Sequence, residues 1–186
     1  MKKLISLILS LCLLCTGAAL AENVTVSEPT TLELEGFTLT LGAGEVYQQT
    51  EKVLNQPYLV VFPFAGEGDT ATSYIIHWSG EASDAKAEEM KDLFVGIEDD
   101  FRAAMEAQDY TLNAFNAQDP VDITLDDEPC VAFSYSMDIS FSNIQLTTFT
   151  RQIFIGSLAT WITITAASEE DLEKTAQHVA EALDIL

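Results

Sequence analysis

A period-two alternation of apolar and polar residues dominates the second half of the chain and predicts β-strands. Between Val131 and Phe141, apolar side chains occupy every second position, which is typical of a strand with one buried face. Segments 144–155 and 158–167 are rich in Thr, Ile and Phe and predict two further strands, joined by short turns. We therefore expect a meander of three antiparallel strands in this half of the molecule.

Shorter runs of the same kind predict strands nearer the N-terminus. Segments 32–35 and 37–41 alternate on either side of Gly36, which predicts two strand segments with a turn or bulge between them. Segments 57–64 and 72–79 are bounded by a Gly-rich loop and predict a hairpin.

In two other segments the apolar residues recur three and four positions apart instead of at every second position. Residues 84–108 carry one apolar stripe, which predicts a single long helix with Ser83 as its N-cap. A second stripe at 169–185 follows Ser168 and an acidic first turn, both typical of a helix start. Hairpin strands interrupted by two helices predict an α+β fold, in which an antiparallel sheet is packed by both helices.

The first 21 residues have the pattern of an export signal. Lys2 and Lys3 precede the apolar run Leu4–Leu14, and a small-x-small site predicts cleavage after Ala21. The run is too short to span a bilayer, and no transmembrane segment is expected in the mature chain. The protein is therefore predicted to be secreted or held at the bacterial cell envelope.

The remaining chain has neither repeats nor low-complexity linkers. Residues 22–31 are polar and are interpreted as a short leader or weak edge strand, and 32–186 as one domain. Cys130 is the only cysteine of the mature chain, so no internal disulfide is expected, and its position at the start of a strand favours a buried thiol. Together with the distant His77 and His178 it cannot make a clustered zinc site, and no cofactor is predicted.

Charge narrows the possible partners. The chain has 30 acidic against 8 basic residues, for a formal net charge of −22. Nucleic acid is excluded as a partner because its phosphates must be neutralised by Lys and Arg, and an anionic lipid surface would also repel the chain. Self-repulsion favours a soluble monomer, and a protein partner or a cation remains possible.

Calcium binding is one alternative function, suggested by the acidic connection at 109–129. A short strand is predicted at 121–125, and the loop 119–128 supplies candidate oxygen ligands, although without the spacing of an EF-hand. The candidate ligands are Asp122, Asp126, Asp127 and Glu128.

Binding or hydrolysis on a sheet face is another alternative. If the face bearing Val131 were core together with Trp78, His77 would lie on the outer face, and Trp161 would share that face. Ser134, Ser136 and Asp138 would then join His77 there, giving a hydrolase hypothesis that lacks a nucleophile elbow and an oxyanion hole. His77 and Trp161 are therefore candidates for a binding face.

The order of elements resembles that of the PsbP-like fold group of exported proteins. The matching parts are the Gly-Phe-Thr-Leu-Thr-Leu strand at 36–41, the meander at 130–167 and the helix at 168–186. The resemblance implies a small non-enzymatic accessory protein of the envelope or extracellular space. It carries over no functional residue, since fold alone does not define function. A non-enzymatic accessory or binding protein is accordingly the first hypothesis, ahead of the calcium-binding protein and the hydrolase.

Overall fold

The structure is a computed structural model, and the residues it describes are 23–53, 56–69, 71–78, 82–84 and 86–186. The predicted export signal 1–21 and its cleavage site lie outside these residues. None of the helices among these residues combines the length and the hydrophobicity that a membrane-spanning helix requires.

Strands make up most of the described chain, with three helices between and after them. The strands are β1 (Val24–Thr25), β2 (Thr30–Leu34), β3 (Phe37–Leu41), β4 (Val46–Val53), β5 (Gln56–Phe62), β6 (Ser73–Trp78), β7 (Thr111–Ala117), β8 (Val121–Leu125), β9 (Glu128–Phe141), β10 (Ile144–Ile155), β11 (Thr160–Ala166) and β12 (Leu183–Ile185). The helices are α1 (Ala87–Phe94), α2 (Ile97–Glu106) and α3 (Glu169–Ala182).

Two antiparallel sheets result from the pairing of these strands. The larger follows the order β1-β4-β5-β6-β11-β10-β9-β7, with β8 paired to the first half of β9. The smaller has the order β12-β3-β2. The predicted meander is the centre of the larger sheet, because β9 pairs with β10 and β10 with β11 along most of their lengths.

The larger sheet is covered on both faces, which makes a three-layer molecule. One face, called the α3 face, packs against α3 and the smaller sheet, and its core includes Phe37, Ile76, Ile162 and Val179. The other, called the α1–α2 face, receives the apolar stripes of the two remaining helices. Its buried side chains include Met90, Phe101, Val131, Phe133 and Met137.

The predicted α+β class is confirmed, but the predicted long helix at 84–108 is divided into α1 and α2. Val95 is extended and Gly96 has φ +81°, so the helical hydrogen-bond ladder stops there. The apolar stripe continues across the break. The sequence pattern therefore predicts one helix where the structure has two. The first helix also begins after Lys86 rather than at the predicted N-cap Ser83.

The C-terminal helix begins as predicted and ends earlier. The Ser168 hydroxyl accepts the backbone N–H of Asp171 at 3.1 Å, which caps α3. The helix stops at Ala182, and Leu183–Ile185 then leaves it as β12 to pair with β3. This pairing ties the end of the chain to the smaller sheet.

Candidate functional site

A cleft opens on the α3 face where β7, β9 and β10 meet the first turns of α3. Its volume is about 290 Å³, close to the lower limit of small-molecule sites, about 300 Å³. We call it the Arg151 cleft. Its polar and aromatic lining includes Asn116 and Gln118 from the end of β7 and the residues after it, Ser134 and Ser136 from β9, Phe149 and Arg151 from β10, and Glu169 and Glu173 from α3.

Strand register determines which side chains form the floor of the cleft. Ser134 pairs with Arg151 and Ser136 with Phe149, so all four project from the same face of the sheet. The two α3 glutamates are four residues apart, which places both on the side of the helix that faces the floor.

Arg151 is the most constrained side chain of the cleft. Its Nη1 donates to Glu173 Oε2 at 3.0 Å, its Nη2 donates to Glu173 Oε1, and its Nε donates to Ser134 Oγ at 3.2 Å. Its side chain is 23% exposed. Such a two-pronged pair fixes the guanidinium plane more strictly than a single hydrogen bond would.

The same contacts perturb the titration of Glu173. Hydrogen bonding from Arg151, reinforced by its positive charge, holds the pKa of Glu173 below the ordinary value of 4.5. Glu173 is therefore ionised at neutral pH and the pair is a salt bridge. Sequence reasoning missed this pair, since Arg151 and Glu173 are 22 residues apart and only a lone arginine within a strand signals it.

The candidate calcium ligands do not converge on a common point. Asp122 Oδ1 accepts the backbone N–H of Ala87 at 2.8 Å, at the start of α1. Asp126 Oδ2 accepts the N–H of Ile185 at 2.6 Å, which anchors β12. Asp126 and Asp127 have φ of 49° and 62° and make the turn between β8 and β9, and Glu128 follows it. Among the described residues no three His, Cys, Asp or Glu side chains are grouped to hold a metal ion.

His77 and Trp161 do share a face, but it is the covered α1–α2 face and not an outer one. They are direct cross-strand neighbours, and Trp161 lies in turn opposite Phe154, with ring centroids 4.7 Å apart. His77 is 7% exposed, and burial lowers its pKa to about 4, so its imidazole is neutral at neutral pH.

The hydroxyl and carboxyl groups that the hydrolase hypothesis places beside His77 lie on the opposite face of the sheet. Ser134 and Ser136 belong to the α3 face with Trp78, while Val131 belongs to the His77 face. The assumption that Val131 and Trp78 share a face is wrong, because the sheet buries apolar residues on both sides. The Ser/His/Asp arrangement of the hydrolase hypothesis is therefore not assembled.

His178 on α3 contacts a buried carboxylate. Its Nε2 lies 3.1 Å from Oε1 of Glu45, which also accepts the N–H of Gly42 at 2.9 Å. The buried Tyr74 ring packs near the imidazole, and burial together with the negative Glu45 raises the pKa of the Tyr74 hydroxyl. This contact joins α3 to the turn between β3 and β4.

The described residues form a three-layer α+β fold, and the Arg151 cleft on its α3 face is large enough for a small ligand. No protein-family model matches the chain, and no curated protein matches it. The chain is similar to the solution structure of cyanobacterial PsbP (CyanoP) from Synechocystis sp. PCC 6803, with 12% identity, coverage of 92% of this chain and 95% of that chain, and a TM-score of 0.44.

A second similar structure is that of LpqN, involved in cell envelope biogenesis of Mycobacterium tuberculosis. The identity is 14%, the alignment covers 89% of this chain and 91% of that chain, and the TM-score is 0.33. The predicted PsbP-like resemblance is thereby confirmed as a likeness of architecture. At these identities and TM-scores it carries no inference about activity, ligand or partner.

Proposed function

We propose that this protein is an exported, non-enzymatic binding protein of the bacterial envelope or extracellular space, and that the Arg151 cleft holds its ligand. The observation that carries the proposal is the fixed guanidinium in the cleft. An arginine has five N–H donors, of which Ser134 and Glu173 take three. The remaining donors are held in a defined orientation beside an open volume, as a binding site requires.

The lining favours a small neutral polar molecule. Arg151 is balanced by Glu173, and Glu169 adds a further negative charge at the rim, so the cleft repels anions. Asn116 and Gln118 can each donate and accept hydrogen bonds, and Phe149 offers a half-buried ring for an apolar edge of the ligand. Sugars of one or two rings and peptides of one or two residues carry the hydroxyl and amide groups that can bond to these side chains.

Binding rather than catalysis is proposed because of what the described lining residues are. They include no histidine, cysteine or lysine, and Glu173 is already bound to Arg151. The hydroxyls of the lining are those of Ser136, Tyr135 and Ser134, the last of which accepts from Arg151. No hydrogen bond between the described lining residues joins a serine hydroxyl to a carboxylate, which is the activated pair that covalent catalysis usually requires.

A ligand screen tests the binding proposal. The processed protein is titrated with glucose, N-acetylglucosamine and N-acetyl dipeptide amides, and with their anionic counterparts, by thermal shift and calorimetry. We expect saturable binding of a neutral probe. Arg151→Lys should weaken this binding about tenfold, because lysine keeps the positive charge but lacks the planar guanidinium with its several fixed N–H donors. Arg102→Lys is the matched control, since Arg102 bonds to Glu98 on α2. Binding that is absent, or equally affected by both variants, contradicts the proposal.

Export has its own test, because it depends on the N-terminal pattern and not on the cleft. A host that secretes the protein should release a chain whose N-terminal sequence begins at Glu22. Retention in the cytoplasm with residues 1–21 intact would contradict export and leave the binding proposal to stand separately.

A further inference from the structure

The strand β10 is paired on one of its two sides along only part of its length. On one side β10 pairs with β9 from Ile144 to Ile155, but on the other side its pairing with β11 begins only at Phe149. The chain leaves β11 after Ala166, opposite Phe149, and turns into α3. We call residues 144–148 the free β10 edge. Alternate N–H and C=O groups of this edge point away from β9, toward a position that no described strand occupies.

Large apolar side chains are exposed along the free β10 edge. Ile144 lies opposite Phe141 and Leu146 opposite Ile139, so all four project from the α1–α2 face. Phe141, Ile144 and Leu146 are 43%, 66% and 53% exposed. Tyr110 packs on Phe141, with ring centroids 4.8 Å apart, and it also packs on the core under α2. The exposed side chains therefore continue a buried apolar layer out to the surface.

The free β10 edge lacks the features that usually protect an exposed strand from pairing with other chains. Natural proteins place lysine or another charge, proline, or a bulge on such an edge. Residues 139–150 contain neither a charged residue nor a proline, although the whole chain has a formal net charge of −22. The register of β10 with β9 is continuous from Ile144 onward, without a bulge. An uncharged apolar edge on so acidic a protein indicates a surface that a partner covers.

The polar backbone of this edge determines which kind of partner fits. A lipid bilayer accepts apolar side chains, but its hydrocarbon cannot bond to the free N–H and C=O groups, which are costly to bury there. A second copy of this chain would bring its own large negative charge. An extended segment of another protein satisfies the backbone by adding a strand, and its side chains then alternate between the two faces of the sheet.

Acidic side chains on the α3 face define the charge of such a segment. Asp138 lies opposite Thr147 and accepts its hydroxyl at 2.7 Å, and α3 begins with Glu169 and Glu170 just beyond the end of β11. All three acids are exposed, and no described Lys, Arg or His forms a salt bridge with them. Basic side chains therefore complement the α3 face of an added strand, and apolar side chains complement its α1–α2 face.

We propose that the free β10 edge binds an extended segment of a partner protein in which apolar residues alternate with lysine or arginine. The segment adds a strand beside residues 144–148. Its apolar side chains cover Ile144 and Leu146, and its basic side chains face Asp138 and the start of α3. The interaction uses none of the hydrogen-bond donors of Arg151, so it does not depend on the function proposed for the cleft.

A fluorescently labelled peptide of alternating lysine and valine, long enough to span residues 144–148, tests this surface. Fluorescence anisotropy with the secreted, processed protein should show saturable binding. The same peptide N-methylated along its backbone keeps its side chains and charge but cannot donate to the strand, so it should not bind. A peptide of alternating glutamate and valine should not bind either, because its charge is reversed. Absence of saturable binding, or equal binding of the methylated peptide, overturns the proposal.

Substitutions separate the free β10 edge from a general attraction of basic peptides to an acidic protein. Leu146→Lys places on the edge the residue that commonly protects such strands, and should weaken binding of the lysine–valine peptide about tenfold or more. Val121→Lys is the matched control, since Val121 is a β8 residue with 52% exposure, and its affinity should be unchanged. Leu146→Ser repeats the test if the lysine variant fails to fold. An equal loss of affinity in Leu146→Lys and Val121→Lys overturns the proposal, and Arg151→Lys should leave the affinity unaltered.

Two other occupants of the edge would give different results. A second copy would appear as a dimer in sedimentation of the protein alone, and Leu146→Lys would abolish that dimer. A bilayer would appear as binding to neutral phosphatidylcholine vesicles that is lost in the same variant. Either result overturns the proposal and assigns the free β10 edge to that occupant.

Discussion

The salt bridge between Arg151 and Glu173 makes a quantitative prediction about stability. Arg151→Met, Glu173→Gln and the double variant form a double-mutant cycle, whose coupling term isolates the interaction of the two side chains. Exposed pairs usually give about 0.2–1 kcal/mol. Glu173 is 57% exposed, which reduces its coupling by solvent screening, but the Arg151 side chain is only 23% exposed and the pair is two-pronged. We therefore expect a coupling free energy of about 1 kcal/mol.

Urea unfolding followed by circular dichroism measures each free energy of unfolding. The slope with denaturant must be the same in all four proteins for the comparison to hold. Arg102 and Glu98 provide a matched pair, since they are four residues apart on α2 and 40% and 49% exposed. Their cycle should give about 0.3–0.5 kcal/mol. A coupling for Arg151 and Glu173 no larger than that of the control pair would refute the argument from geometry.

The pH dependence of the same coupling has a definite sign. The pKa of Glu173 is lower in the folded protein than its ordinary value of 4.5. Its contribution to stability is therefore fully present above pH 4.5 and is lost as the pH falls through the lowered folded value. A coupling that grows on acidification would contradict the assignment of Glu173 as the ionised partner.

Three further substitutions or reactions test the fold. Phe101 is fully buried between Phe115 and Tyr135. Phe101→Ala should therefore lower the free energy of unfolding, measured by urea titration, by about 3–5 kcal/mol. A loss below about 1 kcal/mol would contradict this packing. Gly96 has φ +81°. Gly96→Ala should therefore lower the free energy of unfolding by about 1 kcal/mol, although alanine favours helices. A higher urea midpoint in this variant would instead indicate a continuous helix. Cys130 is 4% exposed with its pKa raised to about 11 by burial, and its thiol should react with a disulfide reagent at pH 8 only after unfolding.

The strands with one clear apolar alternation could be predicted from the sequence. The segment after Pro129 alternates through Phe141, and the observed β9, β10 and β11 follow the predicted boundaries within two residues. The strands β4 and β7 were not predicted, because their sequences VYQQTEKV and TLNAFNA contain too many polar residues for a buried-face pattern. Both lie at or next to an edge of the larger sheet, where one or both faces are less buried.

The assignment of faces required the three-dimensional structure. Alternation shows that Trp78 and His77 point to opposite sides, but not which strand neighbours share each side or whether both sides are covered. Here α1 and α2 cover one side and α3 the other, so neither His77 nor Trp161 is on an open surface of the predicted kind. The Arg151 cleft is likewise formed by elements far apart in sequence, and only register places Ser134 beside Arg151.

The central claim is that the Arg151 cleft binds a small neutral polar molecule, and the arginine side-chain N–H signals in a nitrogen–proton correlation spectrum test it most directly. The chain has two arginines, Arg102 and Arg151, so two Nε–H signals are expected and single Arg→Lys variants assign them. We predict that N-acetylglucosamine or an N-acetyl dipeptide amide shifts the Arg151 signal in a saturable way and leaves the Arg102 signal in place. If the Arg151 signal does not move with any of these probes, or moves only together with that of Arg102, the account of the cleft as a binding site is contradicted.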